Sequence, residues 1–209
     1  MLPERAYVPV NLAVAGGLVA YARHSGATWE DLGLEPSRLP SGALWGVAAA
    51  VGAGAAIGTI SALEPTRPLL LDERALGHTS AQAAYRATTR FPLGTALFEE
   101  VAFRGVVEGL WARRVGTRRA AVVTATAFGC WHLLPTYRAS QSWALPTKSG
   151  SGAGTAVAVA GAVATGAASL GFSWLRRRSG GLLAPWTAHA AFNTLSYLAA
   201  RRAWQKTSV

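Results

Sequence analysis

Apolar stretches close to the length of a bilayer crossing recur along this chain, and that recurrence narrows its fold more than any other feature. A helix needs roughly 20 predominantly apolar residues to cross a hydrocarbon core. Such stretches run over 7–22, 44–63, 91–111, 120–134, 152–174 and 182–200. The second and fifth hold no charge, the fourth is short, and the third is interrupted by Glu99, Glu100, Arg104 and Glu108. Charged residues make up only 14% of the chain, against about 25% in an average soluble domain. The formal net charge of +10 would suit a nucleic-acid binder, but so sparse a charge set argues against one. Disorder is excluded by the apolar content, and a disulfide scaffold by the single cysteine, Cys130. The expected fold is therefore all-α: a polytopic integral membrane protein of about six transmembrane helices.

The spans are rich in Gly and Ala, as in 52–56 and 161–164. Small residues let membrane helices approach closely, so the modest mean hydropathy of +0.24 reflects their content and not solubility. Trp45, Trp111, Trp174 and Trp204 fall near span ends, where indole rings favour the interface. The first stretch has no strongly basic leader or cleavage site and reads as a retained span. Polar connections are expected at 23–41, at 64–90 and at 135–151. The 64–90 connection is the longest, with a surface helix over 75–90, and the last carries Tyr137, Arg138, Trp143 and Lys148. The division expected is an N-terminal hairpin with its loops over 1–74 and a catalytic membrane core over 75–209. Arginine clusters at 113–114, 118–119, 176–178 and 201–202 flank spans and read as anchors to anionic headgroups, so the expected partners include membrane lipids and no nucleic acid. With six spans the two sides of the membrane carry ten and nine Lys and Arg, and the positive-inside rule does not decide orientation.

The informative charges are those inside the third span, where each costs about 2.5–3.5 kcal/mol on insertion scales. On a helix, residues four apart share a face. Glu100 therefore reaches Arg104, which also reaches Glu108, while Glu99 is turned about 100° away and left without a local partner. Two histidines fall in other spans. His132 is near the end of the fourth. His189 is in the sixth, with Asn193 one turn on along the same face. By their positions these groups tilt toward the side holding both termini and meet in a polar cavity among three helices. His24 and His78 fall in loops, and Cys130 reads as a packing residue.

Glutamate and histidine around a water form a hydrolytic set: the carboxylate is a general base, histidine shares that role or binds a metal, and Asn193 can donate to an oxyanion. No serine or cysteine stands out as a nucleophile, and there is no His-Glu-x-x-His zinc motif. The sequence Glu99-Glu100-x-x-x-Arg104, then Phe128-x-x-x-His132, then His189-x-x-x-Asn193, resembles the three motifs of the CAAX-protease and bacteriocin-processing membrane peptidases, the family of the type II CAAX prenyl endopeptidases and abortive-infection proteins. The resemblance covers 91–200 and does not extend to the first 90 residues.

The resemblance implies an intramembrane endopeptidase acting on membrane-associated peptides or proteins in a multi-pass cell-membrane setting. It implies that Glu99 activates water with help from His132, that His189 and Asn193 stabilise the oxyanion, and that Glu100 and Arg104 shape the site. It also implies both termini inside. Two mechanisms stay open: a divalent metal such as zinc on Glu99, His132 and His189, or a metal-free glutamate reaction. Two other functions fit the residues, a non-catalytic membrane partner or bacteriocin-immunity protein, and a small transporter or proton relay.

Overall fold

Proline and glycine mark most of the boundaries of the helices. In the computed structural model, which describes residues 3–63, 77–142 and 151–207, helix α1 covers Glu4–His24 and helix α2 covers Leu39–Ala62, reached through a single 3₁₀ turn at Pro36–Arg38. Helix α3 runs without a break over 80–115. It starts at a capping box, in which Thr79 accepts from the Gln82 backbone and the Gln82 side chain accepts from that of Thr79. It stops at Gly116, whose φ of +80° few other residues tolerate. Helix α4 is Thr117–Ser142, α5 is Ser151–Ser179 and α6 is Leu183–Thr207, with Gly180 at φ +78° making the α5–α6 turn. No strand occurs among the described residues.

These elements match the six apolar stretches and correct their limits. Helix α4 carries on through Pro135 to Ser142, so Tyr137 and Arg138 are helical and not in a loop. The expected surface helix at 75–90 is instead, from Ser80 onward, the beginning of α3 itself. Residues 64–76 and 143–150, with Trp143 and Lys148, lie outside the described residues. Two helical segments, Pro36–Ala62 and Gly154–Ser179, are long and apolar enough to cross a membrane, and only 11% of each apolar window is buried by the rest of the protein. A core helix of a soluble protein would be mostly covered. Here Leu44 and Val51 of α2 and Val163 of α5 are about seven-tenths exposed, at 72%, 68% and 69%, which leaves broad apolar faces uncovered by the rest of the protein.

The helices alternate in direction. Glu4, at the start of α1, pairs with Arg86 and Arg90 near the start of α3, each at 3.2 Å. Near the end of α6, Arg201 donates to the His78 carbonyl at 2.6 Å. The starts of α1 and α3 and the end of α6 thus share one end, here the proximal end. At the opposite, distal end the 25–38 segment folds over the helix tips: Leu32 is fully buried against Val106, and the Leu182 amide donates to the Gly33 carbonyl at 2.8 Å.

Close approach of backbones holds the bundle together. A Cβ on Gly129 of α4 would lie 2.6 Å from the Ala162 carbonyl of α5, and one on Gly94 would lie 2.9 Å from Val8 of α1. Small residues at helix contacts serve this purpose in bilayers. Helix α3 is also wound in the wide i→i+5 form over Arg86–Leu97 and Glu100–Val107, far longer than the usual single-turn bulge. Pro92 lacks the amide that would bond the Ala87 carbonyl in this pattern, and the Thr194 hydroxyl of α6 bonds that carbonyl instead at 3.0 Å. The Pro92 carbonyl accepts from the Trp186 indole at 2.8 Å. These two bonds fix α6 against α3, and so set the height of His189 relative to the glutamates.

Candidate active site

The site gathers around His189. Its Nδ1 lies 2.8 Å from Glu100 Oε1, and its Nε2 faces Glu99 Oε2 at 3.8 Å. One imidazole therefore stands between two consecutive carboxylates of α3. Glu99 and Glu100 are turned apart along α3, and they meet opposite ring nitrogens of the same histidine, so the partner that Glu99 lacks on its own helix is supplied by α6. All three groups are buried, with 7% of Glu99, 6% of His189 and none of Glu100 exposed.

Arg104 pairs with Glu100, Nη1 to Oε1, at 3.2 Å, as the four-residue spacing requires. It is fully buried, with its guanidinium carbon 4.1 Å from the Phe128 ring centre and 5.1 Å from that of Phe172. Two aromatic faces thus share the cation with one carboxylate. Glu108 does not join this pair. It accepts from the Ser173 hydroxyl at 2.6 Å and faces Arg176 at 3.5 Å and Arg177 at 3.8 Å, all on α5. The basic end of α5 outcompetes Arg104 for it.

Phe172 was not among the residues singled out from the sequence. Its ring stacks on His189 at 5.0 Å with 17° between the planes, while Phe128 meets His189 edge-on at 6.2 Å. The only sequence signal for Phe172 is a large aromatic residue in an otherwise Gly- and Ala-rich helix. His132 lies one turn beyond Phe128, half-buried, with Nδ1 2.8 Å from the Phe128 carbonyl and its ring 4.4 Å from the Phe128 ring. It makes no hydrogen bond to Glu99. Asn193 is half-buried and makes no hydrogen bond with a described residue, which leaves its amide available.

The height of the site departs in part from expectation. His189 follows the start of α6 by six residues, and Phe172 precedes the end of α5 by seven, so the buried centre is about 10 Å from the distal tips of these two helices. His132 and Asn193 each lie one turn nearer the proximal end. Cys130 is exposed on α4, and is not a buried packing residue. A cavity of about 210 Å³ lies toward the distal end, between the 33–39 segment, Leu97 and Val101 of α3 and the start of α6, and none of the site residues lines it.

Glu99, Glu100, Arg104, Phe128 and His189 thus meet at one buried centre, with His132 and Asn193 one turn away from it. The family described as type II CAAX prenyl endopeptidase, Rce1-like, matches residues 82–195, more than half of the chain. The chain belongs to this family of CAAX-type endopeptidases. Comparisons with curated proteins and with solved structures returned no match. Family membership makes the chain a membrane-embedded helical protease, a hydrolase whose natural surroundings are lipids and whose substrates are peptides or proteins. The matched segment begins inside the first turn of α3 and ends in α6, so every residue described above, from Glu99 to Asn193, belongs to the CAAX-endopeptidase segment.

As for a metal, no three His, Cys, Asp or Glu side chains come close enough to form a ligand set among the described residues. His189 already directs Nδ1 at Glu100, and His132 directs Nδ1 at a backbone carbonyl. Both bonds use Nδ1 and leave Nε2 free, as the second-shell bonds of metal-ligating histidines do, but no third donor completes a ligand set among the described residues.

Proposed function

We propose that the protein is a six-span intramembrane endopeptidase that cleaves membrane-associated peptides with water activated by Glu99. The observation that carries this reading is the placement of His189 between Glu99 and Glu100, at 3.8 and 2.8 Å, in a buried site. Glu100 is bonded to His189 and paired with Arg104. It orients the imidazole, as a carboxylate orients histidine in many hydrolytic sites. Glu99 has no such cationic partner at contact distance and is free to exchange a proton.

The reaction then runs as follows. A water beside Glu99 gives its proton to the carboxylate, and its oxygen attacks the scissile carbonyl carbon. The carbonyl π electrons move to oxygen. The resulting oxyanion accepts hydrogen bonds from the Asn193 amide and from Nε2–H of His189 in its imidazolium form, whose Nδ1–H is held by Glu100. The carbon–nitrogen bond breaks, and the departing amine takes the proton held by Glu99. His132, one turn from the buried centre, assists the proton exchange at Glu99. No step is routed through a metal.

The alternation of helices supports six crossings with both termini on one side. The test is cleavage of a membrane-peptide library by the purified protein in liposomes. Parent protein should produce defined fragments that Glu99→Ala does not. Equal cleavage by Glu99→Ala, with folding retained, would overturn the proposal. Metal content of parent and His189→Ala, measured on the same preparations, addresses the metal alternative: metal retained by the parent and lost from the variant would replace the glutamate mechanism with a metal-dependent one.

A further inference from the structure

Each peptide bond hydrolysed consumes one water, yet the centre described above is buried among apolar helices. A series of buried polar atoms leads away from it toward the distal end. On α3, Glu100, Arg104 and Glu108 follow one another at intervals of four residues, each no more than 1% exposed. Thr124 on α4 and Ser169 on α5 are also fully buried, each one helical turn from a residue that meets this series, Phe128 against Arg104 and Ser173 against Glu108. Glu99 Oε2, Glu100 Oε2, all three Arg104 side-chain nitrogens, Thr124 Oγ1, Ser169 Oγ and Glu108 Oε1 have no hydrogen-bond partner among the described residues. Ion pairing meets part of this need at Arg104 and Glu108, but the two hydroxyls face nothing charged at contact distance.

Buried polar groups without partners are rare in folded proteins, and ordered water is their usual remedy. Their concentration on three helices that meet around Arg104 and Glu108 is not what a dry helix contact would carry. The series also ends at solvent. Below Glu108, Ser173 and Arg176 continue it, and Arg176 is 12% exposed at its side chain. Arg176 and Arg177 then line an open cleft of about 390 Å³ with Glu30, Asp31 and Arg113.

We infer that Glu100, Arg104, Thr124, Ser169 and Glu108 bind a file of water molecules that connects the cleft at the distal end to the catalytic carboxylates. The file supplies the hydrolytic water from the end of the bundle opposite to that carrying the termini. It separates water supply from the half-buried edge formed by His132 and Asn193. This rests on the reading of Glu99 and Glu100 as the hydrolytic centre, but the binding of water is testable without turnover.

The test uses the full chain in liposomes and the double variant Thr124→Val, Ser169→Ala, which removes both hydroxyls with little change of shape. Hydroxyl radicals generated from bound water by an X-ray pulse oxidise the side chains that the water touches. Phe128 and Phe172, which flank the series, should be oxidised severalfold more in the parent than in the variant. In the cleavage assay the variant should lose about tenfold in kcat with KM unchanged, the pattern of a contribution made after substrate binds. Equal oxidation in both proteins, or a variant that gains thermal stability and keeps full kcat, would overturn the inference, because apolar replacement stabilises a dry site. A parent without cleavage but with the oxidation difference would refute the proposed function and leave the water file standing.

Discussion

His189 has its two nitrogens assigned to neighbouring carboxylates and its ring plane set by Phe172, 5.0 Å away and nearly parallel. Aromatic pairs of this kind are worth about 0.5–1.5 kcal/mol, enough to select one ring orientation. Phe172→Leu should therefore lower kcat by roughly the matching factor, about 2- to 13-fold, while Phe172→Tyr retains activity. Comparing kcat and KM of the two variants checks this, and equal loss in both would show that ring stacking is not what matters. Glu100→Gln removes the charge that holds both Arg104 and His189. Breaking a buried pair costs about 3–5 kcal/mol, so this variant should unfold at distinctly lower temperature than the parent, as read by circular dichroism in detergent. Much of this was legible in the sequence. The four-residue spacing predicted the Glu100–Arg104 pair, and the motifs named His132, His189 and Asn193. What was not legible was that Glu99 and Glu100 address one histidine, because that depends on where α6 sets His189 against α3. Nor was the diversion of Glu108 to Ser173 and Arg176, because spacing along one helix says nothing about competitors on another.

Elements meet where side chains are smallest. Gly129 of α4 lies against the Ala162 carbonyl, where a Cβ would sit 2.6 Å away. Backbone cannot yield as a flexible side chain does, so Gly129→Ala should cost about 1–3 kcal/mol as an overpacked contact, seen as a lower melting temperature. Gly58→Ala, with open space around its Cβ position, is the control and should melt with the parent. Just before α3, His78 bonds Tyr197 of α6 at 3.1 Å. Partial burial, and then repulsion from Arg86, hold its imidazole below the usual value of 6.5. A histidine that resists protonation when folded binds fewer protons than the unfolded chain. Its contribution to stability is present above the unfolded pKa and is lost as pH falls through and below it. Thermal unfolding followed from about pH 7.5 to 5 should show a decline in the parent that is smaller in His78→Gln. The helices themselves were legible as apolar stretches, but their ends were not. Pro135 was read as a terminator, yet α4 runs through it, since helices in apolar surroundings tolerate proline when neighbouring groups satisfy the freed carbonyl.

At the scale of the whole molecule, alternating helices bring both termini to one end and the arginine-bounded turns at Gly116 and Gly180 to the other. Accessibility of single cysteines introduced at Arg5 and Arg202, in a Cys130→Ser background, should place both on the same membrane face, and one introduced at Arg118 on the opposite face. The near balance of ten and nine basic residues hid the orientation from the sequence, but the six long helices follow from the apolar pattern, two of them long and apolar enough to cross a membrane. Three motifs far apart in the chain become one centre only because Thr194 and Trp186 fix α6 to the α3 backbone around Pro92. The most direct test of the account is peptide cleavage in liposomes by the parent, Glu99→Gln and Glu100→Gln proteins, each first shown to be folded. The account predicts defined cleavage by the parent and a loss of at least about a hundredfold in Glu99→Gln, as expected for a removed general base. Cleavage by Glu99→Gln at the parent's rate would contradict it.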